Sequence, residues 1–299
     1  IHDNSSTFFE TMTVLALYFF KQNNVDIAIL ETGLGGQYDS VTACKPSLQI
    51  FTSIAKDHMH ILGNDIKKIA TTKAHAIQMG TPCISVTQDK EVKEILNNIA
   101  KEKSTSIDYN IGTFHKDYIS PLLGAHQREN LLLAIKTSQS IHPIDKATIL
   151  EGLQNISWPG RMQIINTNPL IIFDVAHNEQ GIFAFCNTIN QLSVQGKKTL
   201  IISLQKTKDI RNTVSELMVL FDTIICTQLN DKMYSSEDLM NIFSSCLDLD
   251  STTNPSKIIK KTISDASNKD LIAIIGSHYW GEEIERIFKI SLVKTQYKS

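Results

Sequence analysis

Helix-like and strand-like segments alternate along almost the whole chain, and that order constrains the fold more than any single motif does. Short apolar runs bounded by Gly, Pro, Asn or Asp take turns with stretches whose apolar residues recur every three to four positions. The spacing predicts a helix at 8–22, strands at 25–31 and 47–54, a helix at 64–78, a strand at 82–86 and a helix at 89–101. A looser stretch with short strands runs to about 120, followed by helices at 126–140 and 144–153. "SWPGRM" at 157–162 punctuates the chain. The alternation then restarts: strand 169–174, helix 179–194, strand 198–204, helix 208–220, strand 222–227, helices near 235–247 and 255–267, strand 270–276 and helix 280–289. This is the order of an α/β protein with largely parallel sheets. A chain of 299 residues allows two domains, and the sequence divides them at 1–157 and 158–299, the second reading as a compact doubly wound unit.

Composition removes several classes of function. The net charge of -2 gives no electrostatic footprint for nucleic acid or an anionic membrane surface. The five cysteines are scattered without a C-x-x-C pair, which suits a reduced, cytoplasmic chain with buried thiols. "MTVLALYFF" at 12–20 is too short to span a bilayer and reads as a buried helix. Thr7 and Glu10 have the spacing of a capping box, so a helix is under way within a few residues of Ile1, and the chain reads as beginning mid-fold.

Candidate functional residues cluster where predicted strands end. "ILETGLGGQYDS" at 29–40 follows an apolar run, but it lacks both nucleotide signatures. After Gly33 and Gly35 the third fingerprint position is Tyr38, and Gly36 is followed by Gln37 rather than Lys. The glycines instead suit tight turns at a strand's carboxyl end, the usual side of the ligand crevice, with Glu31 aimed at it. The alternative is an acid that caps a helix or pairs with a lysine. "IFTSIAKDHMH" delivers Asp57 and His58 into the next loop, and a carboxylate from one strand end and an imidazole from the next could share a divalent ion. On the helix that follows, Ile66, Ile69, Ala70, Ala74 and Ile77 form one apolar face with Lys73 near its centre. A buried ammonium must be paired, neutralised or modified, unless its stem packs and its amine reaches water. In "HQRENLLLAI" Asn130 shares a face with Leu133 and Ala134, so its amide needs partners such as a base edge or a neighbouring backbone. "LIIFDVAHNEQG" places Asp174 at a strand end and His177 and Asn178 at a helix N-terminus suited to phosphate.

Taken in order, "TFFE", "ILETGLGG", "SIAKDHMHILG", "IATTKAHAI", "HQRENLLLAI", "WPGRMQII", "IIFDVAHN" and "IIGSHYWGEEI" give the chain a resemblance to the folylpolyglutamate synthases and dihydrofolate synthases of the Mur ligase superfamily. The resemblance runs from residue 7 to the C-terminus. It implies an α/β fold in which 1–157 is the remainder of a central ATPase domain and 158–299 a smaller Rossmann-like C-terminal domain. It also implies ATP-dependent ligation: a dihydropteroate or reduced folate carboxylate takes the γ-phosphate of ATP, and L-glutamate displaces phosphate from the acyl phosphate. By similarity Glu31 and His58 would hold Mg2+, and Lys73 is the lysine that such ligases can carry as a carbamate, a third metal ligand and part of the catalytic set. Asn130 resembles the residue near adenine. Arg161 of "PGR" resembles the cation that reaches ATP phosphates, and Asp174 and His177 resemble nucleotide and phosphate contacts. The resemblance further implies a cytoplasmic monomer.

Departures keep alternatives open. Family members begin with a Gly-Lys-Ser or Gly-Lys-Thr phosphate loop, and these 299 residues contain none. The expectation is a strand, loop and helix unit encoded upstream. "GGRLDATN" of the family stands here as Gly35-Gly36-Gln37-Tyr38-Asp39-Ser40-Val41-Thr42. Thr72 and His75 replace an acid and a glycine around Lys73, and "DKD" has become Thr207-Lys208-Asp209. A ligase, an inactive remnant or binding protein, and a nicotinamide-dependent oxidoreductase are the three readings, the last disfavoured because 170–181 lacks a glycine fingerprint.

Overall fold

The computed structural model describes residues 6–56, 59–63, 65–243, 250–252 and 254–292. By contact the chain forms two compact units, residues 1–112 and 113–299. No described helix is long and apolar enough to cross a membrane.

The first unit opens with α1 (Phe8–Gln22), capped by Thr7 and Glu10 in a reciprocal box. It continues through a 3-10 turn at Ser40–Cys44, β1 (Gln49–Phe51), α2 (Met59–Leu62), α3 (Ile66–Ala74), β2 (Cys83–Ser85), α4 (Lys90–Glu102) and β3 (Ile107–Asp108). The three strands pair in parallel in the order β1-β2-β3. Their core joins Ile69, Ala70 and Ala74 of α3 to Val92, Leu96 and Ile99 of α4, over Phe51 and Cys83. Gln88 braces the exit of β1, its Oε1 accepting from the Ile54 N–H at 3.0 Å and its Nε2 donating to the Thr52 carbonyl at 2.8 Å.

One predicted strand is not there. Residues 25–31 form no strand, although their apolar alternation is real. A strand exists only when its backbone groups pair with a neighbour, and no described strand lies beside this segment. Val25, Ile27 and Ile29 are accordingly 42%, 55% and 88% exposed. α1 shares this condition. Of its 15 residues only Thr13 is buried, against the expectation of a buried helix.

The second unit contains α5 (Ala125–Ile141), α6 (Lys146–Gln154), β4 (Gln163–Thr167), β5 (Leu170–Phe173), α7 (Glu179–Asn190), β6 (Lys198–Ile202), α8 (Val214–Leu220), β7 (Thr223–Thr227), α9 (Ser236–Ile242), β8 (Asp250–Thr252), α10 (Pro255–Asp265), β9 (Leu271–Ile275) and α11 (Trp280–Phe288). The expected helix 208–220 begins only at Val214, after a 3-10 turn at Arg211–Thr213. The six-stranded sheet runs β4-β5-β9-β6-β7-β8, parallel apart from the β4–β5 hairpin.

The period of two sorts this sheet's side chains into two cores. Ile172, Leu200, Ile202, Ala273 and Ile275 face α7, α8 and α9 through Ile182, Phe185, Leu217 and Leu239. Ile171, Phe173, Ile201, Ile272 and Ile274 face α10 and α11 through Ile258, Ile259, Trp280 and Ile284. Each fully buried aliphatic side chain contributes about 1.5–3 kcal/mol, so this sheet anchors its unit. The helix after β5 therefore lies on one face and the helix after β9 on the other. β5 and β9 are neighbours. Adjacent parallel strands whose connections leave to opposite faces make a topological switch point, and the crevice opens at their carboxyl ends.

Candidate functional site

In the first unit the glycine-rich loop is shaped by packing. The Gln37 N–H donates to the Thr72 carbonyl at 3.2 Å, which ties the loop to the last turn of α3. A Cβ on Gly36 would lie 2.8 Å from both the Thr72 and the Lys73 carbonyl oxygens, and one on Gly33 would lie 2.7 Å from the Phe9 ring. Gly35 takes the left-handed region at φ +69°. Asp39 fixes the loop from inside: its Oδ2 accepts from the Gly33 and Leu34 N–H groups at 3.0 and 2.9 Å, and its Oδ1 from Val41 at 3.0 Å. The sequence GLGG thus buys contact with the backbone that carries Lys73.

Of the residues read as metal ligands, Glu31 is exposed and Lys73 is half-buried beside the fully buried Ala70 and Ala74. His58 and Asp57 lie outside the described residues. Among the described residues no three His, Cys, Asp or Glu side chains converge on a common point.

The second unit brings more together. Asp174 follows β5, and its carboxylate is buried to 7% exposure. Its Oδ2 accepts from the Met162 N–H and its Oδ1 from the Ala176 N–H, both at 2.7 Å. Burial pushes its carboxyl above the ordinary range, against the two N–H donors and the Arg161 guanidinium, which pull it down. Gly160 closes the same clasp, its carbonyl accepting from Val175 N–H at 2.9 Å. Gly160 is at φ +68°, and a Cβ there would meet Val175 Cγ1 at 2.6 Å. Asp174 and Gly160 together hold the Pro-Gly-Arg turn against the end of β5.

His177 stands next on the chain, hydrogen-bonded between its Nδ1 and the Val175 carbonyl at 2.7 Å. Asn178 caps α7 by accepting from the Gly181 N–H at 2.8 Å. Across the crevice, β9 is followed by Gly276 at φ +106°, whose absent side chain lets the chain pass the Ser203 carbonyl beyond β6. Trp280 Nε1 donates to the Ile275 carbonyl at 2.8 Å and locks the turn. That turn sets His278 opposite His177, with ring centroids 5.9 Å apart. Partial burial lowers the pKa of His278, and Arg161 and Lys208 lower it further. His126, at the start of α5, is lowered by burial and then by Arg161. Arg161 is therefore the common neighbour of Asp174, His126 and His278.

Sequence reasoning placed Arg161, Asp174 and His177 in this group and missed His126 and His278. His278 follows a strand end, the same signal that singled out Asp174. Asn130 is a correction: the amide expected to be buried is exposed, and its Nδ2 donates to Gln127 Oε1 at 3.3 Å. α5 buries Gln127, Leu131, Leu133 and Thr137, and of these Leu131 packs with Ile149 and Leu153 of α6.

Two family models account for most of the chain. The Mur ligase middle domain matches residues 2–167, and the Mur ligase glutamate ligase domain matches residues 160–278. Dihydrofolate synthase/folylpolyglutamate synthase of Bacillus subtilis is 29% identical over 95% of this chain and 72% of that protein. Among solved structures, Escherichia coli FolC in complex with DHPP and ADP superposes with a TM-score of 0.85 at 26% identity, covering 96% of this chain and 72% of FolC. The Yersinia pestis bifunctional folylpolyglutamate synthase/dihydrofolate synthase complexed with AMPPNP and Mn ion also gives 0.85, at 25% identity over 97% of this chain and 73% of that one.

Proposed function

The chain belongs to the Mur ligase family, and we propose that it serves ATP-dependent addition of L-glutamate to dihydropteroate or a reduced folate. The observation that carries this reading is the convergence of Arg161, Asp174 and His177 at the β5–β9 switch point of a chain that family models match from 2 to 278. In the reaction the folate-type carboxylate attacks the γ-phosphorus of ATP and ADP leaves. The amine of glutamate then attacks the acyl carbon, and phosphate departs as the amide forms.

The second unit supplies positive charge where phosphate charge develops. Arg161 offers a planar fork of donors suited to phosphate oxygens. Asp174 keeps that arginine's turn and the His177 loop in register through its two backbone hydrogen bonds. The N-terminus of α7 adds its dipole toward an anion. Asn130, exposed on α5, is the proposed contact to adenine.

Mg2+ takes oxygen ligands and keeps several waters, so one or two protein carboxylates beside substrate phosphates suffice. Glu31 fits that requirement, and Lys73 fits it as a carbamate, whose oxygens replace an amine that cannot ligate a hard ion when protonated. His58 is the third proposed ligand. When bound, the ion would supply charge neutralisation to the phosphates. The proposed domain division is 1–157 and 158–299, with the protein acting as a cytoplasmic monomer.

A second reading, a nucleotide- or folate-binding protein without turnover, draws on the drift at Gln37, Tyr38, Thr72 and Thr207. One assay separates the two. The protein is incubated with Mg-ATP, L-glutamate and either dihydropteroate or tetrahydrofolate, and products are followed by mass spectrometry. The ligase reading expects an acceptor heavier by one glutamyl residue, formed only with ATP. ADP binding without product from either acceptor supports the second reading.

A further inference from the structure

Two glutamines that belong to none of the motifs above, Gln49 and Gln78, meet behind the glycine-rich loop of the first unit. Gln49 opens β1, and its side-chain amide pairs with the exit of α3 as a neighbouring strand would. Its Oε1 accepts from the Gln78 N–H at 2.8 Å, and its Nε2 donates to the Ala76 carbonyl. The side chain of Gln78 reaches further, its Nε2 donating to the Thr42 carbonyl at 2.8 Å. Thr42 in turn donates from its hydroxyl to the Gly36 carbonyl, and a Cβ on Gly36 would lie 3.1 Å from that of Ala76. The contacts form a closed circuit through Gly36, Thr42, Gln78 and Ala76. We infer that Gln78, held by Gln49, is a positioning residue that seats the glycine-rich loop on the end of α3, and so fixes the segment that carries Glu31 against the turn that carries Lys73.

The chemistry of the two side chains suits this work. Thr42 lies in the 3-10 turn at Ser40–Cys44, and the last carbonyls of a helical turn need a donor from elsewhere. Ala76 and Gln78 lie beyond the last residue of α3, so their backbone groups also look outside that helix. A primary amide carries donors and an acceptor on one uncharged plane. Gln49 therefore satisfies an N–H and a carbonyl at once, and Gln78 brings a donor to Thr42 without adding charge beside the loop. The Gln37 N–H bond to the Thr72 carbonyl ties the loop to α3 at one point, which alone would act as a pivot. Thr42 is a second anchor on the far side of Gly36, and two anchors fix orientation as well as distance.

The inference rests on the proposed function for the metal read at Glu31 and Lys73, but not for the geometry. Amide exchange and Mn2+ binding of the full chain test it in parallel. Gln78→Met keeps the length of the side chain and removes its donor, and Gln78→Lys puts a donor back at similar reach. In Gln78→Met the amides of Gln37 and Thr42 should exchange faster by roughly two- to tenfold, the effect of one net hydrogen bond, while those of β2 and α4 keep the parent rate. Mn2+ affinity in bicarbonate buffer, read from the EPR signal of the free ion, should fall by about tenfold, as when a group supporting a metal ligand is removed. Gln78→Lys should recover most of both.

Loop amides that Gln78→Met leaves unmoved, exchange that quickens equally across β2 and α4, or a loop that Gln78→Lys fails to recover would each overturn the inference. Mn2+ affinity unchanged by Gln78→Met would also overturn it, while leaving the metal reading in place. A parent chain that binds no Mn2+, with a loop that loosens selectively in Gln78→Met and recovers in Gln78→Lys, would do the reverse: the metal reading goes and the seating of the loop stands.

Discussion

The two units handle apolar surface in opposite ways. In the second, all five residues of β9 are buried and both faces of the sheet are covered by helices. In the first, α1 and residues 25–31 carry an equally apolar sequence that the described chain leaves exposed, Phe8 at 81% and Ile29 at 88%. Exposed apolar surface of this extent marks contact surfaces in folded proteins. Hydrophobic pattern alone therefore does not decide burial. A strand or helix is buried only where the chain supplies a partner face.

The largest expected contrast is in hydrogen exchange. Amides of β5, β9 and β6 should exchange only on global opening, with protection on the order of 10^4 or more, whereas those of 25–31 should be near unprotected. Comparable protection in both segments would break the comparison, because it would require a strand partner for 25–31.

Substitution of glycines sharpens it. Gly276→Ala places a Cβ 2.3 Å from the Ser203 carbonyl at a φ of +106°, so we expect a loss of at least about 3 kcal/mol or failure to fold. Gly80→Ala in the first unit has a similar φ sign but meets nothing within 4 Å, and should cost about 1 kcal/mol. Urea midpoints measure both, and equal costs would show that the β6–β9 approach is not tight.

Asp174→Asn should cost about 2–3 kcal/mol in the same measurement, since it weakens two charge-assisted bonds in a buried site. Anion binding should fall with it, as the Arg161 turn loses its clasp. A variant of unchanged stability would refute the clasp.

The smallest effect concerns pH. His126 and His278 have folded pKa values below their ordinary 6.5. Their neutral forms are favoured by folding, so this contribution is present above about 6.5 and is lost as pH falls through the folded values. The urea midpoint should drop slightly from pH 7 to pH 5. A drop from pH 7 to pH 5 that survives replacement of both histidines with glutamine would count against the assignment.

Most of the second unit was legible because a strand buried on both faces announces itself as a continuous apolar run, as Leu271–Ile275 does. β4 and β8 were not, since Gln163–Thr167 and Asp250–Thr252 are polar segments at the sheet's two outer positions. Residues 25–31 had the right period and no neighbour. At the site, Arg161, Asp174 and His177 were visible from strand ends and motifs. Asn130 misled because sharing a helical face with Leu133 and Ala134 does not by itself bury an amide, and it is exposed. His278 was hidden in a motif noticed for its family likeness rather than its place after β9.

The most direct test of the account is a backbone amide titration of the whole chain with Mg-ADP. The account predicts that residues 160–162, 174–178 and 276–278 shift together and saturate with one dissociation constant. A saturable response that leaves these three segments unmoved and appears instead along α10, where Lys257, Lys260 and Lys261 line a shallow groove, would contradict it.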